Sequence, residues 1–462
     1  MTIMTERPRT TAPSTAFDPR LVRATSIGAA RLLRGMDAPG PTWDEHRRIH
    51  GDHRQLDLAG LVGLLDGAGL TGRGGAGFPL ADKIRALRPG QPVVVVNGAE
   101  GEPGSAKDAV LLGRVPHVVL DGALVVADAI GARLVIVAVT DPTLEQLVRS
   151  AIGLRPDAHR FQVRRVPARF IAGEARTLVR TLNGGPQLPP GRRVHATEHG
   201  IDGEPTLLAN AETFAHVGVL TRTGPAPASV RFCPANPGDP AVITPVGGAN
   251  RQLDPGSGGG SSTQDETGTT LLSVTGAVGR PGVVEVPIGL PLGELAAHVG
   301  AHPSPWVVIG GYHGAWLTAD PGLPLSRAGL HAAGGTLGAG TVMFIGADTC
   351  PSAELSRVAG WLAGESARQC GPCAFGLPAL AEQVRALGHP AQSIPATRRL
   401  LAQLPGRGAC AHPDGAARFL GSGLTLVAAD LRAHQTSGNC GHPDRGYLAI
   451  DRRAAFLPRE RP

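Results

Sequence analysis

Five glycines fall within nine residues in the stretch Gly69-Leu-Thr-Gly-Arg-Gly-Gly-Ala-Gly-Phe-Pro-Leu-Ala-Asp-Lys83. With no Cβ atoms in the way, backbone N–H groups of such a loop can close on a phosphate, with Arg73 or Lys83 supplying charge. A second stretch, Asn97-Gly-Ala-Glu-Gly-Glu-Pro-Gly-Ser-Ala-Lys-Asp108, follows the apolar run Pro92-Val-Val-Val-Val96. That run reads as a buried strand, so Asn97, Glu100 and Glu102 stand at a strand's C-terminal end, where α/β folds hold ligands. The chain has 44 Lys plus Arg, yet Lys83 and Lys107 are its only lysines. Both lie in these stretches, which points to ligand roles for a compact charge that a planar guanidinium does not replace. Late in the chain, Cys370, Cys373 and Cys410 group three of the six cysteines. That usage suits a reduced compartment and a metal site better than a disulfide framework.

The surrounding patterns predict the elements that hold these residues. Apolar residues recur at helical spacing over 56–65 and 116–130, and short buried strands read at 94–97 and 134–139. This alternation predicts an α/β domain over 19–249, preceded by a disordered lead-in at 1–18. A Gly/Ser-rich stretch makes 250–270 a flexible linker. Residues 270–286 then alternate and turn like a hairpin, followed by a helix at 291–298 and apolar strands near 306–309 and 341–345. Amphipathic segments at 353–363, 377–387, 396–404 and 415–431 predict a helical domain over 348–436, with an extended tail at 437–462. The formal charge of +6 comes from dispersed arginines without interleaved aromatics, which argues against nucleic-acid binding. The most apolar stretch, 115–140, is broken by His117, Asp121, Asp128 and Arg133, so the expectation is a soluble, cytoplasmic protein with no direct membrane insertion.

Together the two glycine-containing stretches resemble those of the flavoprotein subunit of respiratory complex I and its relatives in NAD-linked hydrogenases and formate dehydrogenases. Further segments extend the resemblance over most of residues 50–435. Phe170-Ile-Ala-Gly-Glu-Ala-Arg-Thr177 is similar to the family's Tyr-Ile-Cys-Gly-Glu-Glu-Thr. Thr206-Leu-Leu-Ala-Asn-Ala-Glu-Thr213 is similar to Thr-x-Val-Asn-Asn-Val-Glu-Thr. Glu365-Ser-Ala-Arg-Gln-Cys370-Gly-Pro-Cys373, with Cys410, lines up with Glu-Ser-Cys-x-x-Cys-x-Pro-Cys and a distant fourth cysteine.

The resemblance implies three units: an α/β FMN-binding domain, a small β-grasp (ubiquitin-like, soluble-ligand-binding) domain and a C-terminal helical-bundle iron–sulfur domain. It implies FMN contacts from Gly72, Arg73, Gly74, Gly75, Lys83, Asn97, Glu100, Gly173, Glu174 and Asn210. It implies nucleotide contacts from Phe78 and Glu102, while a second stacking phenylalanine is Ala86 here. Where the family has a second glutamate that repels a 2′-phosphate, this chain has Ala175 followed by Arg176, the direction expected for accepting NADPH. Ala99 and Ala209 replace polar residues of the flavin site.

The cluster ligands implied are Cys370, Cys373 and Cys410, with Ala367 in the first ligand position. A [3Fe–4S] centre needs only three thiolates; a [4Fe–4S] centre takes a fourth ligand from Cys440, His412 or solvent. Cys233 and Cys350 read as ordinary buried thiols. The activity implied is NAD(P)H oxidation through FMN and a cluster to a ferredoxin, another electron-transfer subunit or a quinone-linked membrane reductase. The alternative is a degenerate member that serves as a non-catalytic assembly or binding subunit.

Overall fold

The computed structural model describes residues 17–37, 42–191, 194–224 and 268–457. Residues 1–16, most of the expected linker and Cys233 lie outside them. Ten strands are formed among the described residues: β1 (Ala24–Ser26), β2 (Val93–Gly98), β3 (Leu134–Val139), β4 (Phe161–Arg165), β5 (Thr206–Asn210), β6 (Thr269–Gly276), β7 (Gly282–Pro287), β8 (Trp306–Ile309), β9 (Ala315–Thr318) and β10 (Thr341–Ile345).

The first sheet is parallel, in the order β4-β3-β2-β5. Val94, Val95 and Val96 of β2 are fully buried, as expected of a strand covered on both faces. Helices Pro116–Ala129 and Ala211–Thr223 pack together at a glycine crossing. A Cβ on Gly122 would lie 1.8 Å from the Phe214 carbonyl oxygen, and one on Gly218 would lie 2.3 Å from that of Val118. Only glycine lets the two backbones approach so closely.

The second sheet is mixed, in the order β1-β7-β6-β10-β8-β9. The predicted hairpin is β6–β7, with Ser273 opposite Val283. β6 begins at Thr269, inside the stretch expected as linker. The segment before the α/β sheet also joins this second sheet, because β1 pairs in parallel with β7. The buried Glu285 carboxylate secures that segment by accepting from the N–H groups of Arg31, Leu32 and Leu33 and from the Thr269 hydroxyl. No local signal in residues 19–30 marks a strand whose partner lies some 260 residues away, so sequence pattern assigns it to the first domain.

Both faces of the second sheet are covered, and alternation along β10 shows how. Val342 and Phe344 face a core shared with helix Leu292–Val299, while Met343 and Ile345 face the C-terminal helices. Those helices are Pro351–Gly364, Leu377–Ala386, Ile394–Ala402, His412–Leu426 and Ala428–Ser437. The single segment expected at 415–431 is thus two helices broken at Val427. The tail packs rather than trails: Glu354 accepts from the N–H groups of Tyr447 and Leu448, and the Tyr312 hydroxyl donates to the Ala449 carbonyl. No single helix among the described residues is long and apolar enough to cross a membrane.

Candidate functional site

In the first sheet the chain moves outward on one side through β3 and β4 and returns on the other side as β5. The switch point therefore lies between β2 and β5, where ligands of open α/β sheets bind. Asn97, next to last in β2, and Asn210, the last residue of β5, are directly paired across the two strands. The Asn97 amide donates to the Gly173 carbonyl at 2.9 Å, which draws the 170–174 turn to the same edge. A Cβ on Gly173 would lie 2.6 Å from the Ala99 carbonyl oxygen, so the position requires glycine.

The glycine loop closes over this edge. Gly72 N–H donates to the Phe78 carbonyl and Leu80 N–H to that of Leu70, pinching the loop at its base. Arg73 is buried, and its N–H donates to the Thr213 hydroxyl beside β5. Gly75 has φ +105° and packs on Gly338 in the turn before β10, while Arg327 donates to the Gly72 carbonyl. The N–H groups of Gly74, Gly75, Ala76 and Gly77 donate to no acceptor among the described residues. A run of uncommitted amides in a glycine loop beside a switch point fits the phosphate of a nucleotide-type cofactor such as FMN. Phe78 stands exposed at the loop's rim.

Both lysines have structural partners, which revises the ligand role expected for Lys107. Its ammonium is buried and bonded to Asp108 at 3.0 Å, Glu212 at 2.9 Å and Asn210 at 2.8 Å. These carboxylates hold Lys107 well above the usual lysine range and, in turn, Lys107 holds Glu212 well below the carboxylate range despite burial. Glu212 also accepts from Thr270 and Leu271 of β6, so the cluster joins the two sheets. Lys83 donates to the Leu208 carbonyl, and burial lowers its pKa. Glu100 accepts from the N–H groups of Asp108 and Ala109, so its carboxylate caps helix Lys107–Arg114. Ala99 and Ala209 are buried in apolar cores, where polar groups would be stranded.

Glu102 is buried, and its Oε2 accepts from Tyr312 N–H at 2.9 Å, while Oε1 has no hydrogen-bond partner. Burial pushes its pKa up to about 7. An orphaned acceptor at this position fits a ligand hydroxyl.

The three cysteines meet in the helical domain. Cys370, Cys373 and Cys410 are close enough to perturb one another, and burial with Cys370 and Cys410 nearby pushes Cys373 up to about 12. Burial raises Cys410 as well, and two thiols so reluctant to ionise alone suit a cationic iron core that removes the penalty. Cys373 lies in a one-turn π-helix, Pro372–Gly376, a distortion frequent at functional sites. Neither protein donor expected for a fourth ligand is in place. His412 is committed through Nε2 to the Leu362 carbonyl and through Nδ1 to His313. Cys440 instead stands with Cys350, Asp430 and His434, so Cys350 is not an isolated thiol.

The 169–176 segment connects the two centres. Phe170 packs edge-on against His313, Trp361 and His412, with centroids 4.6, 4.9 and 5.5 Å away, and its N–H donates to Glu365. Glu174 caps helix Ala175–Leu182 by accepting from Thr177 N–H and pairs with Arg176 at 3.1 Å. Arg176 also donates to the Ala409 carbonyl, next to Cys410. The guanidinium expected to meet a nucleotide phosphate is thus tied to the cysteine loop. Sequence reasoning missed Arg327, Gly338, His313 and Trp361, which come from other domains and carry no motif.

A phosphate-type loop at a parallel-sheet switch point, a β-grasp sheet and a helical domain with three convergent cysteines define an iron–sulfur flavoprotein. The chain is similar to the F-type flavoprotein subunits of NADH-quinone oxidoreductases in all three units. Residues 65–219 match the Nuo51 FMN-binding domain, 271–304 the SLBB domain and 353–434 the NADH-ubiquinone oxidoreductase-F iron–sulfur binding region. The chain is 27% identical to the F-type subunit of the NADH-quinone oxidoreductase of Mycobacterium tuberculosis, over 88% of this chain and 93% of that protein. It is also 27% identical to an F-type subunit of Rhizobium meliloti, the one numbered 2, over 92% and 99% respectively. In structure it is similar to an NAD+-reducing [NiFe]-hydrogenase, with a TM-score of 0.72 and 25% identity, covering 90% of this chain and 68% of that one.

Proposed function

We propose that this chain is an electron-entry subunit that oxidises NADH and delivers electrons to a ferredoxin or another electron-transfer subunit. The 169–176 segment carries the reading, because one short stretch is bonded to Asn97 at the flavin edge and to Ala409 at the cysteine loop. FMN, when bound, supplies the exchange between a hydride and single electrons, and a cluster on Cys370, Cys373 and Cys410 supplies a one-electron relay. The residues' own tasks are binding and alignment. The amides of Gly74 to Gly77 would hold a phosphate, and Asn97 and Asn210 border the switch point. Phe78 and Glu102 would face the nucleotide. The test is the absorption spectrum of anaerobically purified protein, with acid-released flavin and iron counted, before and after NADH. Bleaching of flavin and sulfur-to-iron bands supports the proposal. A protein still colourless after reconstitution overturns it in favour of a non-catalytic subunit, the reading that Ala99, Ala209 and Ala367 favour.

Turnover is expected to prefer NADH over NADPH. A 2′-phosphate can recruit Arg176 only by displacing Glu174 and the Ala409 carbonyl. Steady-state kinetics with both nucleotides checks this, and a preference for NADPH would show that Arg176 leaves those partners.

Glu102 gives a pH prediction. Its folded pKa of about 7 lies above the ordinary 4.5, so the folded state holds the proton more tightly than the unfolded chain. Its contribution is full below about pH 4.5 and is lost as pH rises through 7, at most on the order of 3 kcal/mol. Relative to Glu102→Gln, the wild type should therefore lose thermal stability between pH 5 and 8. Parallel melting curves for the two proteins would refute the assignment. A hydroxyl donated to Oε1 favours the carboxylate, so NADH binding near pH 7 should also release a proton, measurable by calorimetry in two buffers.

A further inference from the structure

Twenty residues before Cys370 and thirty after Cys410, a second group of donors converges. Cys350 Sγ, an Asp430 carboxylate oxygen, a His434 ring nitrogen and Cys440 Sγ all lie within 4.8 Å of one another. Cys350 Sγ is 3.2 Å from His434 Nε2 and 3.9 Å from Asp430 Oδ2, and the last two atoms are 3.7 Å apart. Asp430 and His434 are four residues apart on helix Ala428–Ser437, which sets them on one face. Cys350 caps helix Pro351–Gly364, with Sγ accepting from Ala353 N–H. Cys440 arrives from the tail just after Gly438, whose φ of +79° turns the chain back.

We propose that these four side chains form a structural zinc site separate from the iron–sulfur centre. Two sulfurs, one imidazole and one carboxylate are the donors zinc takes in closed tetrahedral sites. Bonds of about 2.0–2.3 Å put tetrahedral ligands about 3.3–3.8 Å apart, so the observed spacings need at most about 1 Å of closure. Outer-shell support is already built: Ser352 donates to Asp430 Oδ2 through both its N–H and its hydroxyl. Binding deprotonates both thiols and releases the protons to solvent.

The ion's task is to clamp the tail. Cys350 N–H already donates to the Pro443 carbonyl, and Arg445 N–H donates to the Thr349 hydroxyl. Beyond the clamp, Arg452 reaches back to the Glu100 carbonyl at 2.5 Å. The zinc would therefore brace, through the tail, the loop that carries Glu100 and Glu102.

The test counts zinc, iron and flavin by mass spectrometry and absorption in full-length protein, for wild type, Cys440→Ser, His434→Ala and Cys440→His. The expected result is about one zinc per chain, falling at least about tenfold in Cys440→Ser and His434→Ala at unchanged iron. Cys440→His, which supplies a replacement ligand, should retain zinc even if the serine variant folds poorly. Cobalt loading of the wild type should add thiolate-to-cobalt absorption that His434→Ala lacks. Three results overturn the proposal: a wild type without zinc, loss of iron rather than zinc in Cys440→Ser, or a Cys350–Cys440 disulfide in the isolated protein.

Discussion

Cys373→Ser is expected to strip iron from the protein by more than about tenfold while leaving bound flavin in place. Cys373 is the most enclosed of the three convergent thiols, with a relative exposure of 2%, and both other sulfurs influence it. Its helical turn is held through Ser366, whose hydroxyl donates to the Cys373 carbonyl. Serine is a poor iron ligand, and with Ala367 in the first ligand position only two thiolates remain. Reduction of a one-electron protein acceptor by NADH should then collapse, while the flavin absorption still bleaches. Iron retained at the wild-type level would show that the three cysteines do not form the cluster site. The oxidised wild type also distinguishes the two cluster forms by electron paramagnetic resonance: a [3Fe–4S] centre gives a signal and a solvent-capped [4Fe–4S] centre is silent.

Lys107→Met should be the most destabilising single change in the flavin half, at about 3–5 kcal/mol in urea unfolding. Methionine fills similar volume but leaves Asp108 and Glu212 buried without their counter-charge. Glu212 is fully enclosed, and it also fixes Thr270 and Leu271 at the start of β6, so the two sheets should loosen together. Flavin binding is expected to fall with stability, because Asn210 shares the same ammonium. Lys107→Arg should not rescue, since the side chain runs against Gly340, where even a Cβ would lie 3.4 Å from it. A midpoint within experimental error of the wild type would mean that the buried charges are compensated by other groups.

Lys83 donates to a backbone carbonyl, but the survival of Lys107 in an arginine-rich chain has a physical reason different from phosphate binding. The sequence marked where a compact charge was needed, while the fold showed that its partners are carboxylates rather than a ligand. Glu100 is similar: its place after a strand is legible, but its use as a helix cap depends on where Asp108 and Ala109 return.

Local pattern determined much of this protein. The run Val93 to Val96 reads as a strand buried on both faces, and it forms one, while five glycines in nine residues mark a loop whose backbone can approach a ligand closely. Hairpin β6–β7 and the amphipathic helices of the C-terminal domain follow from periods of two and 3.6 residues. Tertiary structure alone decided what those periods cannot encode. β1 joined the second sheet because Glu285 offers its carboxylate to three backbone N–H groups. Arg176 turned to the Ala409 carbonyl, and Cys440 came to rest beside Cys350, Asp430 and His434. Each of these is a side-chain contact between distant segments. Its energy depends on burial and geometry at the meeting point, and neither is written in either segment by itself.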